Sequence, residues 1–307
     1  MQIIATIIPI FIVVMLGWAV HRRGFIPEEF LGPANRLVFY VAIPAMIFQS
    51  IAKSTLHEWF NPVMIAATLA AAATGYCCAW FACRVVRIHG AKAGTFIQSA
   101  GHGNLGYIGL AVAFYFLGPT GLVHASVVAG FLMILQNLLS VSALQSFAMP
   151  ADRAHRRFEF AAKVLANPVI LAVMVGMLFS ALQLQVPLIL ERSLTIVGGL
   201  ALPTALLIIG ASLSNERIRA HKWFVLAAAA IKLLALPFLG WMLYRLCGLR
   251  AAEFLPGLIL LASPTATITY VMAKEMRGDA DLAVATVSAS TLTSALTFVL
   301  WLHLATS

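Results

Sequence analysis

Acidic side chains are scarce in this sequence of 307 residues: Asp and Glu together number 11, against 20 Lys and Arg. None lies deep inside an apolar run, so a buried carboxylate pair for general acid–base chemistry has no source. There is also no Walker-type phosphate loop, no HExxH and no Gly-x-Ser-x-Gly. Those patterns would point to ATP-driven transport, zinc proteolysis and nucleophilic hydrolysis. Cysteine is rare. Cys77, Cys78 and Cys83 share one apolar segment and Cys247 stands apart, with no metal-ligand spacing and no paired framework. All four read as small apolar packing residues, and no metal is expected. The period-two alternation of barrel strands is missing too, which leaves helices as the only way to span a bilayer.

What is present is apolar: 62% of the residues are hydrophobic and only 10% are charged. A soluble domain of this length could not hide that much apolar surface, so the chain reads as an integral membrane protein. About 20 apolar residues cross a bilayer as a helix. Ten segments meet or approach that length, at 3–20, 37–52, 61–83, 95–117, 122–147, 164–182, 186–213, 223–246, 254–273 and 282–304. The start, "MQIIATIIPIFIVVMLGWAVHRRG", lacks a basic n-region and a cleavage site and reads as an uncleaved first span.

The net charge of +9 sits in the connectors. On one side these carry Arg22, Arg23, Arg36, Arg84, Arg87, Lys92, Arg153, Arg156, Arg157, Lys163, Arg217, Arg219, Lys222, Lys274 and Arg277. On the other they carry only Lys53, Arg192, Arg245 and Arg250. The positive-inside rule then places both termini on the non-cytoplasmic side of a cell (inner) membrane. It also removes the need for a nucleic-acid partner. Lys274 and Glu275 read as solvated charges at the cytoplasmic end of span nine.

The longest polar interruption, "PADRAHRRFE" from Pro150 to Glu159, divides the chain into 1–148, a cytoplasmic connector at 149–163, and 164–307. Shifting the first part by 159 residues brings Pro9 onto Pro168, Gly17 onto Gly176 and Pro44 onto Pro203, with "VAIPAMIF" over "LALPTALL". Five spans per part is an odd number, so two such repeats must be inverted in the membrane, a signature of secondary transporters.

The same offset carries Asn104, in "AGHGNLGYIGLAVA", onto Ser263, in "LLASPTATITYVMAKE". Asn and Ser-Pro are both helix-start signals, and Gly101, Gly103 and Gly106 permit an unwound approach to the first. Read singly, either segment also fits close helix packing or a kink. Together, at equivalent positions, they predict that spans four and nine stop and restart near mid-membrane. Two half-helix N-termini would then face one point, where an anion supplies both acceptors and the opposite charge.

These segments resemble the auxin efflux carrier family, which includes plant PIN-type auxin carriers and bacterial malonate-transporter-like proteins. The likeness runs through "YVAIPAMIF", "GNLGYIGLAVAFYFLG", "NPVILAVMVGML", "ALPTALLIIGASLS", "IKLLALPFLG" and "YVMAKEMRGDADLA", nearly the whole chain. It implies an all-α membrane fold of ten helices in two inverted five-helix repeats, with crossing broken helices four and nine. It also implies organic-anion substrates and a homodimer through the scaffold spans one, two, six and seven. Many members have proline where this chain has Ala111, so the break in span four rests here on the glycines and Asn104.

The candidate substrate-binding residues are Asn104, Gly103, Gly106, Ser263, Pro264, Thr265 and Thr267. Lys232 is the one basic residue deep in a span, about 15 Å along the helix from Lys222, and buried charge in a membrane is functional by default. His102 is either a carrier of a coupling proton or a neutral donor to freed carbonyls. Gln136 and Asn137 read as interhelical hydrogen-bonders or cavity lining. No cofactor is expected, and the candidate coupling ions are H+ and Na+. The reading is a secondary active transporter moving small organic anions such as carboxylates by alternating access. The alternatives are a membrane-embedded enzyme or a structural membrane protein.

Overall fold

The computed structural model describes residues 2–54, 61–147, 167–214, 218 and 221–307. The connector expected at 149–163 lies outside the described residues, as do the first residues of span six and the charges Arg217 and Arg219. The helices are α1 (Gln2–Arg22), α2 (Glu28–Ala52), α3 (Pro62–Val85), α4 (Gly90–Gly101), α5 (Leu105–Phe147), α6 (Pro168–Ala181), α7 (Leu188–Ala211), α8 (Lys222–Leu246), α9 (Ala251–Ala262), α10 (Ile268–Glu275) and α11 (Ala280–Thr306). No strand occurs among the described residues, only an isolated antiparallel bridge between Gly103 and Thr265. Seven of these helices, α1, α2, α3, α5, α7, α8 and α11, are long and apolar enough to cross a membrane. The protein is an all-α, multi-pass membrane protein.

Local chemistry explains the starts. Asn61 and Asn167 cap α3 and α6, accepting from Met64 N at 3.0 Å and Val169 N at 2.9 Å, and in each case proline takes the first helical position. Asp279 caps α11 by accepting from Leu282 N at 2.9 Å. Gly118, at φ 74°, turns the chain between the two helical stretches of α5. Span two begins earlier than the sequence suggested. Polar Glu28–Leu37 joins it as helix, with Arg36 and Asn35 exposed along it.

Proline also shapes α2 and α8. Pro44 and Pro237 each follow a π-helical turn, Val38–Ala42 and Ile231–Ala235. Proline has no N–H for the carbonyl four residues back, so the ladder slips there. In α8 the carbonyl so freed, Leu233 O, accepts instead from Trp301 Nε1 at 2.8 Å. Lys232 sits in that π turn.

The helices pack in two groups. α1 lies along α7 and α2 along α6, while α3, α4, α5, α8, α9, α10 and α11 pack chiefly on one another. The α1–α7 contact is close enough to require glycine, as small residues allow in membrane helices. A Cβ built on Gly210 would lie 1.8 Å from Val14 O. Gly210→Val is therefore expected to force the two helices apart and cost on the order of 3 kcal/mol, read as a lower Tm of the detergent-purified protein. Gly199→Ala, with open space around it, is expected to leave Tm unchanged.

One packing expectation fails for three of the four cysteines. Cys83 is buried, but Cys77, Cys78 and Cys247 are exposed. The apolar bilayer tolerates a small thiol on an outward face as readily as a core does, so apolar surroundings in sequence did not imply packing. Lys274 and Glu275 are exposed as expected.

Candidate functional site

Between α4 and α5 the helix stops at Gly101 and resumes at Leu105. Between α9 and α10 it stops at Ala262 and resumes at Ile268. The two extended breaks cross and hydrogen-bond to each other: Asn104 N donates to Pro264 O at 2.7 Å, and Ala266 N donates to His102 O at 2.9 Å. Each break thus satisfies backbone groups the other leaves open, which an apolar interior demands.

Side chains from neighbouring helices complete the satisfaction. Gln136 on α5 works as a clamp across the first break. Its Oε1 accepts from Gly103 N at 3.2 Å and its Nε2 donates to Gly101 O at 3.3 Å. Thr265 N donates to Ser290 Oγ at 3.1 Å, and Thr265 Oγ1 donates to Ser99 O at 2.8 Å. His102 Nδ1 lies 2.8 Å from Ser140 Oγ, itself 2.8 Å from the Tyr76 hydroxyl.

Asn104 caps the resumed helix as the sequence predicts, its Oδ1 accepting from Tyr107 N at 3.3 Å. The other half of its amide is different. Nδ2 is buried and has no hydrogen-bond partner, while the residue as a whole is only 5% exposed. A buried donor left unmet costs about 1–3 kcal/mol. Just beyond it, a Cβ on Gly106 would approach Ile43 Cδ1 of α2 at 3.9 Å, and the Tyr107 hydroxyl donates to Asn35 Oδ1 at 2.5 Å. The resumed helix therefore faces the other helix group.

The capping role expected of Ser263 is overturned. It ends α9 rather than starting α10: its ψ is 142°, and its hydroxyl donates back to Leu260 O at 2.6 Å. The residue before a proline is pushed out of the helical region, and Pro264 has no N–H to give Leu260 O, so the serine hydroxyl replaces it. The restart falls at Ile268, with half-buried Thr267 as N-cap and no side-chain cap bond.

Lys232 reaches the crossing from α8. It is fully buried, and Nζ donates to Leu261 O at 2.6 Å. A Cβ on Gly103 would come within 3.2 Å of both its Nζ and its Cε, and within 2.6 Å of Ser263 Oγ. The structure thus brings His102, Gly103, Asn104, Gln136, Lys232, Ser263, Pro264 and Thr265 to one place. Thr267 and Gly106 lie just outside it. Asn137 is half-buried beside Gln136 and makes none of these contacts. Sequence reasoning missed Tyr76, Ser99, Ser140 and Ser290. The small polar residues spaced through α11, "VSASTLTS", were the available signal for the last of these.

A family model described as membrane transport protein, that of the auxin efflux carriers, matches residues 2–302. Among similar proteins is a "Putative malonate transporter" of Rhizobium meliloti, 25% identical over 306 residues, covering 96% of this chain and 93% of that one. Uncharacterized transporters of Methanothermobacter thermautotrophicus and Methanocaldococcus jannaschii are 24% and 23% identical; the first covers 96% of each chain and the second 95% of each. Matched from end to end by that family, and built around a crossing of two broken helices, the chain belongs to the auxin efflux carrier family of membrane transport proteins.

Proposed function

We propose that the protein is a secondary active transporter of small organic anions, carboxylates foremost, and that the anion binds at the Asn104 side of the crossing. The observation that carries this reading is the unmet, buried Asn104 Nδ2 beside the start of the resumed helix. A carboxylate would supply the acceptor that the donor lacks and the negative charge that a helix N-terminus favours. Asn104, Gly103 and Gly106 form the near side of the site, with Ser263, Pro264, Thr265 and Thr267 contributing the second break. The name of the Rhizobium meliloti relative supports a dicarboxylate as the first substrate class to test.

The architecture proposed is ten spans in two inverted repeats, 1–148 and 164–307, joined by a cytoplasmic connector. Packing supports it. A Cβ on Gly17 would lie 2.2 Å from Leu207 O, and one on Gly176 would lie 3.4 Å from Phe48 O. The offset of 159 that turns Gly17 into Gly176 also turns Phe48 into Leu207. Each repeat's first helix thus docks on the other repeat's second helix at matching positions. Alternating access follows if the crossing and its helices move against the group of α1, α2, α6 and α7, past the Gly106–Ile43 and Tyr107–Asn35 contacts. That group is also where a homodimer would form. Lys232 and His102 are the coupling candidates, with H+ and Na+ the ions considered, and both termini face away from the cytoplasm of an inner membrane.

Counterflow in proteoliposomes tests the reading. Labelled malonate should exchange against internal malonate and related carboxylates, and less against amino acids or sugars. Absence of exchange with every carboxylate tried would overturn it.

A further inference from the structure

Gly103 faces Lys232 and Ser263, while the Asn104 side chain turns to Tyr107 N at the start of the resumed helix. At the end of α9, Leu260 O takes both the Ser263 hydroxyl at 2.6 Å and Ser263 N at 3.3 Å, Pro264 having no N–H to offer it. Leu261 O would ordinarily take Thr265 N, but that donor goes to Ser290 Oγ, and the carbonyl is left for the Lys232 ammonium. The Lys232 side chain is thus held by a main-chain carbonyl at a half-helix C-terminus, the partially negative end, which favours an ammonium there.

No carboxylate answers it. Among the described residues every Asp and Glu stands at a helix end or in a connector. Such carbonyl ends of broken helices are where free coupling cations are coordinated in transporters of this general design.

We propose that the Lys232 ammonium is a tethered cation. It occupies, as part of the chain, a monovalent-cation position behind the crossing, so that the two breaks stay docked without a bound Na+. This rests on the crossing just described, and on the transport reading only for assigning the anion to the Asn104 side chain.

Chemical rescue tests it. Lys232→Ala removes three carbons and the ammonium, the outline of n-propylammonium. In detergent, without any carboxylate substrate, the Lys232→Ala protein is expected to be less stable than the parent. Millimolar n-propylammonium should raise its Tm by about 3 °C or more, while n-propanol should not. Lys232→Met fills the space without charge, so it should stay destabilised and ignore the amine. The parent should show the same Tm when choline replaces Na+. If Lys232→Ala folds only when made in n-propylammonium, the proposal is supported. If the amine restores neither folding nor Tm, if Lys232→Met matches the parent, or if the parent requires Na+, it is overturned. Because these readings need no anion, rescue without carboxylate counterflow would sink the transport reading alone.

Discussion

Gln136→Leu should be among the most damaging single substitutions in the protein, although the residue lies on a long apolar helix. Its amide bridges the first break, accepting from Gly103 N and donating to Gly101 O. Leucine keeps the volume and leaves both backbone groups without partners where water is excluded. Each such group costs about 1–3 kcal/mol, so the pair amounts to roughly 2–6 kcal/mol. Against a total stability of about 5–15 kcal/mol, that is a large share. The expected result is a marked fall in Tm together with loss of carboxylate counterflow, because Gly103 and Asn104 no longer share a fixed geometry. Gln136→Glu, when ionised, keeps an acceptor for Gly103 N but offers no donor to Gly101 O and buries a charge. Protonation returns an O–H donor, so its Tm should rise toward the parent's as the pH is lowered. Asn137→Leu, one position along and half-buried, should be close to silent. A Gln136→Leu protein with parental Tm and counterflow would show that the clamp is dispensable.

The sequence marked the two breaks but not what holds them together. Weak helix formers inside apolar runs located 101–106 and 263–267, because propensity and proline act locally. Membrane crossing was legible for the same reason: length and apolarity are properties of contiguous residues. The clamp was not legible in that way. Gln136 meets Gly103 from 33 residues away, and Thr265 meets Ser99 from 166 residues away. Nothing in either neighbourhood says which polar residue will serve which break. Ser263 shows a subtler failure. Ser-Pro fits a helix start and a helix end equally well, and the outcome turned on Leu260 O needing a donor in place of the missing proline N–H. Lys232 was singled out by depth alone, and its place behind the crossing depends on a π turn that shifts the register of α8.

Asn104 gives the second large effect, and the more diagnostic one. Its Oδ1 caps Tyr107 N, and its Nδ2 is the unmet donor assigned to the anion. Asn104→Ala removes both. A lost cap costs about 1 kcal/mol, and a lost ligand hydrogen bond in a dry site about 1–3 kcal/mol. Carboxylate affinity should therefore fall roughly ten- to a hundredfold, since about 1.4 kcal/mol is tenfold. Asn104→Asp separates capping from binding. The aspartate keeps the shape and the acceptor for Tyr107 N, and a negative charge at a helix N-terminus is good for the fold. Toward the substrate the change is adverse, because a donor becomes a second anion facing the first. Stability should be held near the parent's while affinity at neutral pH drops at least as far as in the alanine variant. Lowering the pH should restore part of it, because protonation removes the repulsion and returns an O–H donor. Binding measured across pH on folded protein, alongside Tm, decides the matter. If Asn104→Asp binds carboxylates like the parent at neutral pH, the anion sits elsewhere, and the unmet Nδ2 is a structural flaw rather than a binding group.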